Sequence, residues 1–180
     1  FGPDACKPAY SYLKGDITQA YTDKVKEAIF SRIGPYFDGG SILDLFAGSG
    51  AISLEAISRG MEHAVLVDMN GKAISTITSN IKALGVRDAC TVLKMDYKTA
   101  LHKLEEQKQS FDVVFLDPPY KKQQISSILQ YLDEHDMVKE NGDVICESLK
   151  EDIFEDAVGS LQKVKDVTYG ITRITYYRKR

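Results

Sequence analysis

Ile42-Leu43-Asp44-Leu45-Phe46-Ala47-Gly48-Ser49-Gly50 is a short apolar run that enters a glycine-rich turn, and the turn opens a helix read over Ala51 to Arg59. Glycine tolerates positive φ and carries no side chain, so a ligand can approach the backbone closely, and a helix amino terminus adds unpaired N–H groups. A second apolar run, Ala64-Val65-Leu66-Val67, ends in Asp68, about 20 residues beyond the glycines, where doubly wound folds put an acid on a ribose hydroxyl. Nucleotide and AdoMet sites share that layout. Gly48-Ser49-Gly50-Ala51-Ile52-Ser53 has serine where the G-x-G-x-x-G dinucleotide fingerprint wants its third glycine, which weighs against NAD.

Outward from this turn, the chain alternates strands and helices without a low-complexity tract, internal repeat or Pro/Ser-rich linker. Upstream, Thr22 or Asp23 caps a predicted helix whose apolar face is Val25, Ile29, Phe30 and Ile33, and Gly34-Pro35 ends it. Downstream, Lys72 to Leu84 reads as a helix with Ile74, Ile77, Ile81 and Leu84 on one stripe, stopped by Gly85. Thr91 to Met95 reads as a strand ending at Asp96, Tyr97 to Glu106 as a helix, Phe111 to Leu116 as a strand, Gln124 to Leu132 as a helix and Asp143 to Glu147 as a strand. Such βαβ alternation predicts an α/β fold with a parallel sheet covered on both faces. Val164 to Tyr169 and Ile171 to Tyr177, around Gly170, read as a closing antiparallel hairpin or as a single edge strand with a frayed end.

The strand Phe111 to Leu116 runs straight into Asp117-Pro118-Pro119-Tyr120. This tetrapeptide resembles the catalytic turn of amino-group methyltransferases. An exocyclic amine on a nucleobase is a poor nucleophile because its lone pair is delocalised into the ring. A carboxylate and a backbone carbonyl that accept its two N–H bonds localise that pair, paired prolines stiffen the loop, and an aromatic ring stacks on an extruded base. Asp117, the Pro118 carbonyl with Pro119 beside it, and Tyr120 suit those roles; the alternative is a plain strand-to-turn junction.

The 180 residues, 43% of them hydrophobic, suffice for one catalytic domain and leave little room for a second. No apolar run approaches the roughly 18 residues that span a bilayer, and nothing resembles a secretion signal, so a cytoplasmic protein is expected. The chain opens on Phe1 rather than methionine, which points to a missing or replaced amino terminus. Cys6, Cys90 and Cys146 are far apart and odd in number, as reduced thiols are, and they lack zinc-ligand spacing. His63, His102 and His135 are equally scattered and read as surface or helix-end residues; no metal is expected.

Taken together, Leu43-Asp44-Leu45-Phe46-Ala47-Gly48-Ser49-Gly50, Glu55-Ala56, Ser58-Arg59-Gly60, Asp68, Asn80 and Asp117-Pro118-Pro119-Tyr120 resemble the bacterial RsmD family of AdoMet-dependent methyltransferases. Thr22 to Phe30 is similar to the family's first helix, and the likeness runs from about Thr22 to the end of the chain. The resemblance implies a Rossmann-like class I methyltransferase fold, with a mostly parallel seven-stranded sheet and a C-terminal antiparallel hairpin. It implies S-adenosyl-L-methionine as methyl donor and the N2 amine of a guanosine in small-subunit ribosomal RNA, within an assembling or assembled subunit, as substrate. Carried over by position, Asp44, Phe46, Ala47, Gly48, Ser49 and Gly50 surround the methionine part, Asp68 lies at the ribose hydroxyls, Asp96 and Tyr97 at the adenine end, and Met69 is a further cofactor-binding residue. Residues 22–180 then form the methyltransferase domain, and 1–21 an extension that departs from the pattern. Gln19-Ala20-Tyr21 stand where the family usually has Arg-Pro-Thr, and Phe1 to Asp16 supply no clear basic hairpin.

A net charge of −3 is unlike that of a strong phosphate binder. Distribution matters more than the total: Lys24, Lys26, Arg32, Lys121, Lys122, Arg173, Arg178, Lys179 and Arg180 can border one basic face, or can be ordinary solvated charges. Two other functions fit the same residues. An adenine-N6 DNA methyltransferase uses a similar tetrapeptide but usually needs a target-recognition region, and a non-catalytic RNA-binding or ribosome-assembly factor can retain the fold.

Overall fold

The computed structural model describes the backbone from residue 17 onward and side chains from Asp23. The chain groups into two compact units that divide between Tyr97 and Lys98.

In the first unit, helix α1 (Ile17–Ile33) precedes β1 (Ser41–Asp44), α2 (Ala51–Ser58), β2 (His63–Asp68), α3 (Gly71–Leu84), a 3-10 turn (Arg87–Ala89) and β3 (Cys90–Lys94). The strands lie in the order β3-β2-β1 and pair in parallel. Strand β2 is buried along Ala64 to Val67, as a strand covered on both faces must be. Helix α3 turns Ile77 and Ile81 inward and leaves Ile74 and Leu84 half-buried. The Asn70 side chain caps α3 by accepting from the Lys72 and Ala73 N–H groups, and Gly85, at φ 68°, ends it.

Helix α1 begins five or more residues before the expected cap. Thr22 and Asp23 both lie inside it, because the stretch from Ile17 to Tyr21 contains no glycine or proline to interrupt a helix. The expected end at Gly34-Pro35 holds, with the Gly34 N–H donating to the Phe30 carbonyl. The side chains of Gln19, Ala20 and Tyr21, and the whole Phe1 to Asp16 stretch, including Cys6, lie outside what is described.

The second unit holds α4 (Tyr97–Glu106, starting at the boundary), β4 (Phe111–Leu116), α5 (Lys121–Glu134), β5 (Val138–Leu149), β6 (Ala157–Val158), β7 (Leu161–Tyr169) and β8 (Thr172–Lys179). Here the order is β4-β5-β8-β7-β6. Strand β5 is parallel to β4, whereas β8, β7 and β6 join antiparallel. The hairpin is therefore a true one. With β6 the described residues contain eight strands rather than the expected seven, within the α/β, Rossmann-like architecture that was anticipated. Helix α5 and strand β5 both run longer than their apolar cores suggested.

Much of the Glu55-Ala56…Ser58-Arg59-Gly60 stretch is scaffold. Glu55, on α2, is buried and accepts from Arg59 Nε at 2.7 Å, while Lys26 Nζ from α1 lies 3.6 Å from its other oxygen. Arg59 also reaches Glu27 at 3.0 Å and lies 5.1 Å from the centre of the Phe30 ring. Burial alone would lower the Arg59 pKa; its hydrogen bonds and charge interactions with Glu55 and Glu27 outweigh that and raise it. Gly60, at φ 117°, is required because a Cβ there would fall 2.0 Å from the Phe37 carbonyl oxygen. Lys26 is thus an interior counter-ion and is withdrawn from the expected basic face. Glu55→Ala leaves two buried cations without their shared partner and should cost about 3–5 kcal/mol, read as a lower urea midpoint with an unchanged slope.

Candidate functional site

In the first unit, parallel register aligns the ends of three strands. Asp44 closes β1 opposite Leu66, Asp68 closes β2 opposite Lys94, and Asp96 and Tyr97 follow the end of β3. Ligands of open α/β sheets bind outside these carboxyl ends. The predicted cofactor residues Asp44, Phe46, Ala47, Gly48, Ser49, Gly50, Asp68, Met69, Asp96 and Tyr97 therefore gather at one edge of one unit.

The glycine-rich turn is fixed by backbone and side-chain bonds. The Ala47 N–H donates to the Val67 carbonyl (2.9 Å), and the Gly50 N–H donates to the Ala47 carbonyl (2.8 Å). Asp68 holds the turn against the end of β2: its two oxygens accept from the Gly48 and Asn70 N–H groups, each at 2.9 Å. Asn80, buried on α3, donates to the Ser49 carbonyl at 2.9 Å, and buried Asp44 accepts from Ser53 Oγ at 2.9 Å. Gly48 and Gly50 have φ 58° and 82°, and a Cβ on Gly48 would project into open space. Phe46 and Tyr97 set their rings 5.3 Å apart, and Met69 is 68% exposed. An open glycine turn, a strand-end carboxylate and two half-exposed rings fit a nucleoside-bearing ligand such as AdoMet.

In the second unit, Asp117 leaves the end of β4 half-buried, Pro118 is buried, and Pro119 is exposed. Tyr120 is 73% exposed. Its N–H donates to Gln124 Oε1 at 2.9 Å, fixing the turn into α5. Lys121, one residue into that helix, is ion-paired with Asp117 Oδ1. Lys121, expected either on a basic face or as an ordinary solvated charge, therefore belongs to the tetrapeptide's surroundings.

The residue that sequence reasoning missed is Glu147 on β5. Leu116 pairs with Cys146 in parallel register, so Asp117 and Glu147 follow as neighbours at the two strand ends, and Glu147 is hydrogen-bonded to Asp117. Burial, then the charge of Asp117, against the opposing charge of Lys121, and finally that hydrogen bond push the Glu147 carboxyl from 4.5 up to about 7. Its one signal in the sequence is a carboxylate closing the apolar run Val144-Ile145-Cys146.

Elsewhere the unit is occupied differently. A cavity of about 510 Å³ beside α5 is lined by Ser126, Leu129, Phe154, Val158 and Tyr177, and none of the predicted site residues reaches it. Burial raises the Cys146 thiol and pushes Cys90 up to about 11, so neither is an activated nucleophile. His63 bonds Thr91 Oγ1, His102 faces Glu106 on α4, and His135 ends α5. Among the described residues no cluster of three or more His, Cys, Asp or Glu is arranged to hold a metal, and no helix is long and apolar enough to cross a membrane.

The family described as conserved hypothetical protein 95 matches residues 9–178, nearly the whole chain. The chain belongs to that family, the RsmD family. YlbH of Bacillus subtilis (strain 168) is 45% identical over 168 residues, covering 93% of this chain and 91% of that protein. Ribosomal RNA small subunit methyltransferase D of Escherichia coli (strain K12) is 28% identical over 127 residues, 71% of this chain and 62% of that relative, so the match spans less than two thirds of the latter. A Streptococcus pyogenes structure described as a conserved hypothetical protein superposes with TM-score 0.81 at 41% identity, covering 86% of this chain and 95% of the other.

The raised Glu147 carboxyl has a consequence for stability within this RsmD-family chain. The folded state keeps a proton that the unfolded chain releases, so the group's contribution falls as pH rises from about 4.5 to about 7 and levels off above that. Glu147→Gln should flatten the decline across this window, measured by chemical denaturation at its two ends.

Proposed function

We propose that this chain is an AdoMet-dependent methyltransferase acting on the N2 amine of a guanosine in small-subunit ribosomal RNA. The observation that carries the reading is Asp117-Pro118-Pro119-Tyr120 at the end of a buried parallel strand, in a chain whose glycine turn and Asp68 suit the cofactor. The RNA assignment draws on the name of the E. coli relative and on the likeness of the motifs. AdoMet, when bound, supplies a methyl group already activated on its sulfonium, so the protein's task is alignment and exclusion of water.

In this reading residues 22–180 are the catalytic domain. The Gly48 to Gly50 turn receives the methionine end of the donor, Asp68 the ribose hydroxyls, and Asp96 and Tyr97 the adenine. Asp117 and the Pro118 carbonyl accept the two N–H bonds of the amine and localise its lone pair toward the methyl group. Tyr120 stacks on the flipped base. The two prolines hold the carbonyl and carboxylate in place, so little reorganisation accompanies transfer.

Calorimetry should find one AdoMet site per chain and no comparable NAD binding, and Asp68→Ala should weaken AdoMet about tenfold or more. Asp117→Ala should slow single-turnover methylation of unmethylated small ribosomal subunits about a hundredfold or more while AdoMet still binds. Mass spectrometry of the digested RNA should identify N2-methylguanosine. N6-methyladenine in DNA alone, or AdoMet binding without methylation of any nucleic acid, would replace this function with one of the two alternatives.

A further inference from the structure

The Asp117 carboxylate is held from two sides by groups that its acceptor role does not by itself require. Lys121, one turn away at i+4, is ion-paired with Oδ1. Glu147 reaches it from the neighbouring strand, because the Leu116–Cys146 pairing sets Asp117, just past the end of β4, beside Glu147 on β5, and the two side chains are hydrogen-bonded. Two carboxyls side by side at a half-buried position repel each other when both are charged. A proton on one of them turns the repulsion into a hydrogen bond.

We propose that Glu147 is a positioning residue for Asp117: its carboxylic-acid hydroxyl donates to the Asp117 carboxylate and sets the orientation in which Asp117 accepts from the amine. The inference rests on the reading of Asp117 as amine acceptor. The surroundings favour Glu147 as the proton holder. Both carboxyls are half-buried, and burial pushes that of Glu147 up to about 7. Asp117 from β4 and Lys121 from α5 are the charged groups that act on it. From β8, its register partner is Ile174, and the adjacent Arg173 is committed to Asp166 and to the Lys150 carbonyl. On β5 itself, Asp143 is taken by Arg178. Loss of the Glu147 proton replaces a hydrogen bond by a second negative charge beside Asp117, so the orienting contact is present below about pH 7 and lost above it.

Two readouts test this. Carbon-13 NMR of the side-chain carboxyls in the substrate-free protein should show Glu147 titrating near 7 and sensing Asp117→Asn. Single-turnover methylation of unmethylated small ribosomal subunits should decline above that pH in the wild type. Glu147→Ala, with no donor, should be slower by about tenfold at low pH with AdoMet affinity retained. Glu147→Gln, whose amide donates at every pH, should recover most of that loss and remove the decline. A Glu147 that titrates in the ordinary carboxylate range, together with a Glu147→Gln pH profile that overlays the wild type, overturns the inference and leaves Asp117 as amine acceptor. Wild-type methylation by Asp117→Ala overturns both.

Discussion

Parallel pairing is the constraint on which the chemistry of this chain depends, because parallel neighbours end together and release their loops on the same side. In the first unit it brings Asp44, Asp68 and the Asp96-Tyr97 step to one edge. In the second it makes Asp117 and Glu147 neighbours although they are thirty residues apart in sequence. An antiparallel arrangement of the same strands would scatter these carboxylates to opposite ends. The buried runs Ala64 to Val67 and Val113 to Leu116 secure that pairing through apolar burial on both faces, so core and site are specified by the same residues.

Elements with a strong local signal were legible. Tyr97 to Glu106 and Phe111 to Leu116 match their expected bounds, since a helical stripe bounded by Gly-free sequence and an unbroken apolar run leave few alternatives. The glycine turn was legible because Gly48 and Gly50 adopt the positive φ that only such residues take easily. Strand β6 was not, for it has two residues and is held by what surrounds it: the next turn is pinned by Asp133, which accepts from the Ser160 N–H and Oγ at 2.8 and 2.7 Å. Glu147 was missed for a related reason. Its importance lies in a register between two strands, and periodicity within one strand carries no register.

Charge was the property least readable from composition. Five of the basic residues expected to border an RNA face are spent on the chain's own carboxylates: Lys26 on Glu55, Lys121 on Asp117, Arg173 on Asp166, Arg178 on Asp143 and Lys179 on Asp136. Lys24, Lys122 and Arg180 remain exposed. A surface balanced in this way gains little from counterion release, so the proposed RNA recognition leans on stacking and shape at Tyr120 more than on a broad basic field.

The contrast between the two partners of Asp117 has a mechanistic meaning. Its ion pair with Lys121 is about one third exposed on both sides, and pairs so placed contribute only about 0–1 kcal/mol. In the proposed reading an incoming amine therefore displaces Lys121 from the carboxylate at little cost. The contact with Glu147 lies instead between the adjoining ends of β4 and β5. Under the proposed function one partner yields its place to the substrate while the other keeps the carboxylate aimed, so that a half-open turn combines access with the fixed acceptor geometry that methyl transfer requires.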